Sequence, residues 1–243
     1  METDLNDDCL PVAKEAIVFM LVCINKSWKL PVGYFLVDCI SGLQLSNLVK
    51  QCLIVVEKTG IKVVSLTFDG AACNISMAEH LGCSFDTSKS LLIYFQYPSN
   101  EEKFFVFLDP CHTLKLVRNT LGEKKCIVDS ENQLIKGNFI VKLQELQDAE
   151  ILHLSNKLRK RHLEWFRQKM SVKLAAQLMS ASVTDAIEEC QSMGLKNFEN
   201  SEATVKFLRH INCIFDILNS RNIHQPGCKK PLWPQNFQQV SEY

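Results

Sequence analysis

The sequence predicts a mixed α/β sheet with flanking helices, followed by an all-helical region, and three observations carry that prediction. The stretch Lys62 to Asn74, K-V-V-S-L-T-F-D-G-A-A-C-N, is an apolar β-branched run that stops on Asp69-Gly70 and gives way to a helix-like pattern. Phe104 to Asn119, F-F-V-F-L-D-P-C-H-T-L-K-L-V-R-N, repeats this around Asp109-Pro110. From Lys136 onward the apolar spacing is helical almost throughout.

Each element follows from its own local signals. Ala16 to Ile24 and Pro31 to Val37 are short apolar runs separated by a polar turn at Asn25 to Lys29, the pattern of a β-hairpin. Ser41 to Gly60 places Leu45, Leu48, Val49, Cys52, Leu53 and Val56 at spacings of three and four and ends on glycine, as an amphipathic helix does. The strand ending at Asp69 leads to a short helix over Asn74 to Leu81, stopped by Gly82. Ser84 to Glu102 reads as a polar, turn-rich connection to the strand ending at Leu108. Pro110 suits the first turn of the helix that continues to Asn119.

A composition change at Cys126 to Gly137 divides the chain into an α/β part, 1–125, and a helical part, 126–243. In the second part Phe139, Leu143 and Leu146, then Leu152, Leu158, Leu163 and Phe166, then Val172, Leu174, Ala175, Leu178 and Val183 are helically spaced. Ser201 to Asn219 is another periodic helix, and the proline-containing tail after Arg221 reads as loop.

Composition limits the function classes. With 243 residues, 47% hydrophobic and 22% charged, the chain can bury a sizeable core and is not a disordered segment. Its formal net charge is zero, so any attraction to nucleic acid depends on local clustering of charge. Eleven cysteines include no C-x-x-C pair, which favours reduced thiols, several inside apolar runs, over a disulfide scaffold or a zinc module. The acidic start, M-E-T-D-L-N-D-D, lacks the basic residues and apolar core of a secretory signal, and no apolar run reaches the roughly 18 to 20 residues of a membrane span. A soluble protein of the cytoplasm or nucleus is expected, not secreted and not membrane-bound.

Carboxylates at the ends of neighbouring strands are what a Mg²⁺ site requires, because the ion takes oxygen ligands and open α/β sheets gather ligands at the C-terminal ends of their strands. For Asp109 the spacing favours a helix N-cap; for Asp69 a metal ligand and a simple turn residue stand level. Lys157 to Lys173 carries Lys157, Arg159, Lys160, Arg161, His162, Arg167, Lys169 and Lys173 against one acid, Glu164, with Trp165 and Phe166 interleaved. Such a basic helix offers phosphate contacts that position a nucleic acid or nucleotide without reading sequence. Its ordinary reading is a solvated face with the aromatics turned inward. Buried thiols are likewise the ordinary reading of Cys73 and Cys111, since nothing specifies a base or an oxyanion site beside them.

Several blocks carry a family resemblance. L-P-V-A-K-E-A-I-V-F-M-L-V at Leu10 to Val22, W-K-L-P-V-G-Y-F-L-V at Trp28 to Val37, S-L-T-F-D-G-A-A-C-N at Ser65 to Asn74 and F-L-D-P-C-H-T-L-K-L-V-R-N at Phe107 to Asn119 resemble the P-element transposase family, above all the THAP-domain-containing transposases of animals. N-K-L-R-K-R-H-L-E-W at Asn156 to Trp165, K-L-A-A-Q at Lys173 to Gln177, S-E-A-T at Ser201 to Thr204 and F-D-I-L-N-S-R-N at Phe215 to Asn222 continue it in order.

The resemblance implies a truncated RNase H-like core over 1–125 and a guanine-nucleotide-binding insertion after it. It implies DNA cleavage and joining in the nucleus with two Mg²⁺ ions on an Asp-Asp-Glu triad, of which Asp69 matches the second Asp. The first Asp would fall at or before Met1 and the Glu beyond Tyr243, with Asp4, Asp7 and Asp8 following the first strand, not replacing it. Strand transfer by this chain alone is therefore not expected, because a two-metal site short of acidic ligands leaves its ions poorly neutralised. The paired cysteines of a zinc-binding DNA-recognition module are missing, so DNA contact is expected to be non-specific at most. No G-x-x-x-x-G-K-[ST] phosphate loop occurs, and the resemblance assigns GTP without assigning its contact residues. Without its central first strand, the hairpin is expected to present unpaired edges and to self-associate.

Overall fold

A computed structural model describes residues 12–100, 102–150, 156–220 and 222–240, without the side chains of 239 and 240. Asp4, Asp7, Asp8, Cys9, Leu10, Leu152 and Arg221 lie outside the described residues. The chain forms two compact units, Met1–Leu108 and Asp109–Tyr243. The break falls earlier than the composition change, where one strand runs directly into a helix.

In the first unit, β1 (Glu15–Val22) and β2 (Lys29–Val37) form the expected antiparallel hairpin, with Glu15 opposite Val37 and Val22 opposite Lys29. Ile17, Phe19 and Leu21 alternate with Val18, Met20 and Val22, so both faces of β1 are apolar and only the first set is partly covered. Helix α1 (Gly42–Glu57) begins with a reciprocal cap: the Gln44 N–H donates to Ser41 Oγ at 3.2 Å, and the Ser41 N–H donates to Gln44 Oε1 at 3.0 Å. Leu45, Val49 and Leu53 form its buried stripe. A Cβ on Gly42 would lie 2.4 Å from Ser76 Oγ, so only glycine permits this approach of α1 to α2 (Ala72–Leu81). Gly82 ends α2 at φ +116°, a conformation that costs glycine little.

β3 (Ser65–Phe68) lies parallel to β5 (Lys103–Leu108), while β4 (Tyr94–Gln96) pairs antiparallel on the far side of β5. β4 lies inside the segment expected to be turn-rich. A strand of three residues is too short to show a period of two, and tertiary pairing with β5 decides it. Phe95, Tyr97, Phe104 and Val106 pack on Leu53, Met77 and Ala78 in the core, and Tyr97 Oη donates to the Leu53 carbonyl at 3.1 Å.

Among the described residues, β1 pairs only with β2, and β3 only with β5. A groove of about 650 Å³ is lined by the consecutive residues 18–25 of one segment and 61–67 of the other. Alternate residues would line it if sheet faces bounded it; consecutive residues mark two unpaired strand edges. The outer hairpin face is open, with Tyr34 75% and Leu36 68% exposed.

In the second unit, Asp109 caps α3 (Pro110–Lys124), accepting from the N–H groups of Cys111 and His112 at 3.1 Å each. This is the structural role that its spacing favoured. The unit is not all helix: β6 (Cys126–Val128) and β7 (Leu134–Lys136) form a small antiparallel hairpin where the composition changes. Its turn is held by Asp129 Oδ1, which accepts from the N–H groups of Glu131 and Gln133, with Asn132 at φ +65°. Helices α4 (Asn138–Ala149), α5 (Lys160–Leu163), α6 (Val172–Leu178), α7 (Ala181–Ser192) and α8 (Glu202–Leu218) follow. Their core centres on Leu121, Leu143, Leu158, Ala175, Ile187 and Leu208.

The tail, read as loop, holds a 3₁₀ turn (Gly227–Lys229) and α9 (Pro234–Val240). A proline at the first position of a helix does not oppose it. Cys213 and Cys228 are joined as a disulfide with Cα atoms 5.3 Å apart, correcting the expectation of reduced thiols for this pair. Their separation of 15 positions conforms to no recognised cysteine spacing, and helix α8 and the following turn bring them together.

Candidate functional sites

The first candidate lies where β3 ends. Phe68 pairs with Leu108, and the next residue, Asp69, is exposed at the strand's C-terminal end. Asp69 Oδ1 accepts from the Ala71 N–H at 3.1 Å and from Asn74 Nδ2 at 2.7 Å, closing the turn into α2. Among the described residues no three His, Cys, Asp or Glu side chains come together as a metal-holding group. Asp69 is therefore not part of a three-residue ligand group, and the described residues do not fit a two-metal site. Cys73, four residues on, donates its thiol to the Ile40 carbonyl at 3.2 Å, and burial pushes the neighbouring core thiol Cys83 up to about 11. Cys83 is thus the opposite of a nucleophilic cysteine, whose pKa is depressed.

The second candidate is the basic segment. It is not the single helix expected over Lys157 to Lys173: α5 spans one turn, a 3₁₀ turn follows at Trp165–Arg167, and α6 starts only at Val172. Arg118 holds the stretch between the 3₁₀ turn and α6. Its Nη2 donates to the carbonyls of Gln168 and Lys169 at 2.8 and 2.9 Å, holding them outside any helical ladder. Lys157, Arg159, Lys160 and Arg161 are all exposed, while Asn156, Leu158 and His162 alternate with them as buried anchors. The Asn156 side chain accepts from the Leu158 N–H at 3.0 Å. His162 accepts from the Arg159 N–H through Nδ1 at 3.0 Å and reaches Gln177 Oε1 through Nε2 at 3.1 Å. These anchors fix the backbone, so the four cations project from an ordered platform. Of the two aromatics expected inside, Trp165 is half-buried, whereas Phe166 is 57% exposed.

Beside this segment lies a cleft of about 470 Å³ lined by α3, α4, α5, α6 and Trp165. The Trp165 ring lies so close to α3 that a Cβ on Gly122 would meet its Cδ1 at 2.4 Å. Arg118, 2% exposed, also lines the cleft, and burial lowers its pKa from the ordinary value. Sequence reading assigned it no role, although a signal exists: Leu114, Arg118 and Leu121 occupy one helical stripe, and a charge on a buried stripe is informative. Lys157, Arg159, Lys160 and Arg161 do not line this cleft.

Comparison with known proteins agrees with this division. Residues 1–82 match the family model described as TNP-like, RNase H N-terminal domain, and residues 111–231 match TNP-like, GTP-binding insertion domain. The class is therefore an RNase H-like fold joined to an insertion of the GTP-binding kind. The chain is 32% identical over 238 residues to human DNA transposase THAP9, covering 98% of itself and 26% of that protein. To the Drosophila melanogaster transposable element P transposase it is 30% identical over 208 residues, covering 82% of itself and 25% of the relative. Its fold superposes on a chain of the Drosophila P element transposase strand transfer complex with a TM-score of 0.78 at 28% identity, covering 92% of this chain and 49% of that one. The chain belongs to the P-element-type transposase family. It spans about a quarter of the length of the curated relatives it matches.

Proposed function

We propose that this chain supplies part of a nuclear P-element-type DNA transposase, that its second unit binds a guanine nucleotide, and that alone it does not transfer DNA strands. The observation that carries the reading is the coincidence of the compact unit beginning at Asp109 with the match to the GTP-binding insertion model at 111–231. Lys157, Arg159, Lys160 and Arg161 are the proposed phosphate contacts, because buried anchors hold these exposed cations in place. The same cations give a weak, sequence-independent attraction to DNA. Four phosphate contacts would make its affinity fall with salt at a log–log slope of about −3.6 on duplex.

Asp69 is proposed as the second Asp of the family's catalytic triad. Mg²⁺ would supply charge stabilisation to such a site when its full ligand set is assembled, but the described residues do not assemble one, and no catalytic step is assigned to them. A second reading, a non-catalytic nucleotide-binding or interaction module, draws on the lone Asp69 and on the exposed hairpin. Its partner would include another copy of the chain, through the open strand edges.

The test is a calorimetric titration of the full chain with GTP and, separately, with ATP. Saturable GTP binding that weakens at least tenfold on combined Lys157→Glu and Arg161→Glu substitution supports the reading; absence of GTP binding overturns it. A DNA-nicking assay with Mg²⁺ decides the catalytic question. Nicking that disappears in Asp69→Ala would show that the chain is an active nuclease and refute the inert reading.

A further inference from the structure

The cleft beside Trp165 contains positive charge with no counter-charge among the described residues that line it. Arg118 makes three neutral hydrogen bonds, to Asn119 Oδ1 at 2.9 Å and to the carbonyls of Gln168 and Lys169. Its Nη1 is closed to solvent and has no hydrogen-bond partner among the described residues. Lys125 lines the same cleft, and no Asp or Glu does. A guanidinium taken out of water without an anion is costly, and an anion brought near it recovers part of that cost.

The remainder of the lining is apolar. Leu121, Ile140, Val141, Leu163 and Leu178 line it together with Trp165, and the other polar side chains are Asn138 and His162, the latter with both ring nitrogens already engaged. The volume of about 470 Å³ is that of a small-molecule pocket, apolar with few polar groups. We propose that this cleft binds a small amphiphilic anion, with a flat apolar ring system seated against Trp165 and a single carboxylate or phosphate monoester drawn in by the positive charge of Arg118 and Lys125. It is a site distinct from that of the guanine nucleotide. The several donors and acceptors on a guanine edge would need partners when buried, and this lining has too few to meet them.

The experiment uses the full chain labelled with ¹⁵N and follows the indole Nε1–H resonance of Trp165, assigned by its loss in Trp165→Phe. The probes are 1-naphthoate, 1-naphthyl phosphate and the neutral 1-naphthylmethanol. The expected result is a saturable shift of the Trp165 resonance with at least one anion, at least about tenfold tighter than with the alcohol; the tighter anion names the head group. Lys125→Glu should weaken the anions at least tenfold and leave the alcohol unchanged, and Val141→Phe should abolish all binding by filling the cleft. Neither substitution removes a buried hydrogen bond, so both variants stay folded where Arg118→Met would not. No saturation, equal binding of anion and alcohol, or indifference to both variants overturns the proposal. Displacement of the bound probe by GTP also overturns it, because the cleft would then be the nucleotide site.

Discussion

Gly122 and Trp165 provide a prediction whose sign changes with background. Gly122 lies in the last turn of α3, where alanine favours the helix by up to about 1 kcal/mol on propensity alone. In this structure the added Cβ would sit 2.4, 2.6 and 2.8 Å from Cδ1, Nε1 and Cγ of Trp165. Ordinary carbon contacts begin about 1 Å further out, and three ring atoms on one rigid plane cannot yield separately. Overpacking of this kind costs about 1–3 kcal/mol, which exceeds the propensity gain. Gly122→Ala should therefore destabilise the second unit in the wild-type background. In a Trp165→Ala background the obstruction is gone, and the same substitution should stabilise by up to about 1 kcal/mol. The double-mutant coupling should reach at least about 1 kcal/mol, within the range for residues in contact. Hydrogen exchange of α3 peptides, measured by mass spectrometry across a urea series, reads the stability of this unit separately from that of the first. The reasoning fails if Gly122→Ala changes stability in the same direction and amount in both backgrounds.

Other perturbations test separate parts of the structure. Asp109→Ala removes the acceptors for two N–H groups of α3 and should cost about 0.5–2 kcal/mol in urea unfolding; Asp109→Asn should recover most of it. Leu208→Ala, at a fully buried core position of α8, should cost about 2–5 kcal/mol, and a loss below 1 would mean that the helical core is not packed as described. Burial raises the pKa of Asp216, against the opposing effects of Lys229 and the Asn212 hydrogen bond. A carboxyl raised in the folded state favours folding when protonated, and that contribution is lost as pH rises from its unfolded value through its folded one. Asp216→Asn should accordingly raise the urea midpoint at pH 7 and lose that advantage below the ordinary carboxylate range. The open edges and outer face of the hairpin predict self-association; light scattering should show oligomers that diminish with Tyr34→Lys and Leu36→Lys, and a monodisperse wild-type monomer would count against this.

Local chemistry by itself determined most of the first unit. Alternating and continuous apolar runs marked β1, β2, β3 and β5, the spacing of Leu45, Val49 and Leu53 marked α1, and Gly82 marked the end of α2. Asp109 before Pro110 was readable as a cap because capping depends on residues adjacent in the chain. The ordered blocks also determined the family, since their resemblance spans nearly the whole chain.

Tertiary structure decided what depends on distant partners. β4 exists because β5 pairs with it, and the non-helical stretch before α6 is held by Arg118, about fifty residues earlier, through the carbonyls of Gln168 and Lys169. Cys213 meets Cys228 only across the turn that follows α8. The cleft could not be read from spacing, for its lining comes from segments whose proximity is set by the shared core of Leu121, Leu143 and Ala175. Periodicity reports which face of an element is buried; only packing determines which elements meet, and so where a charge such as that of Arg118 is left without a partner.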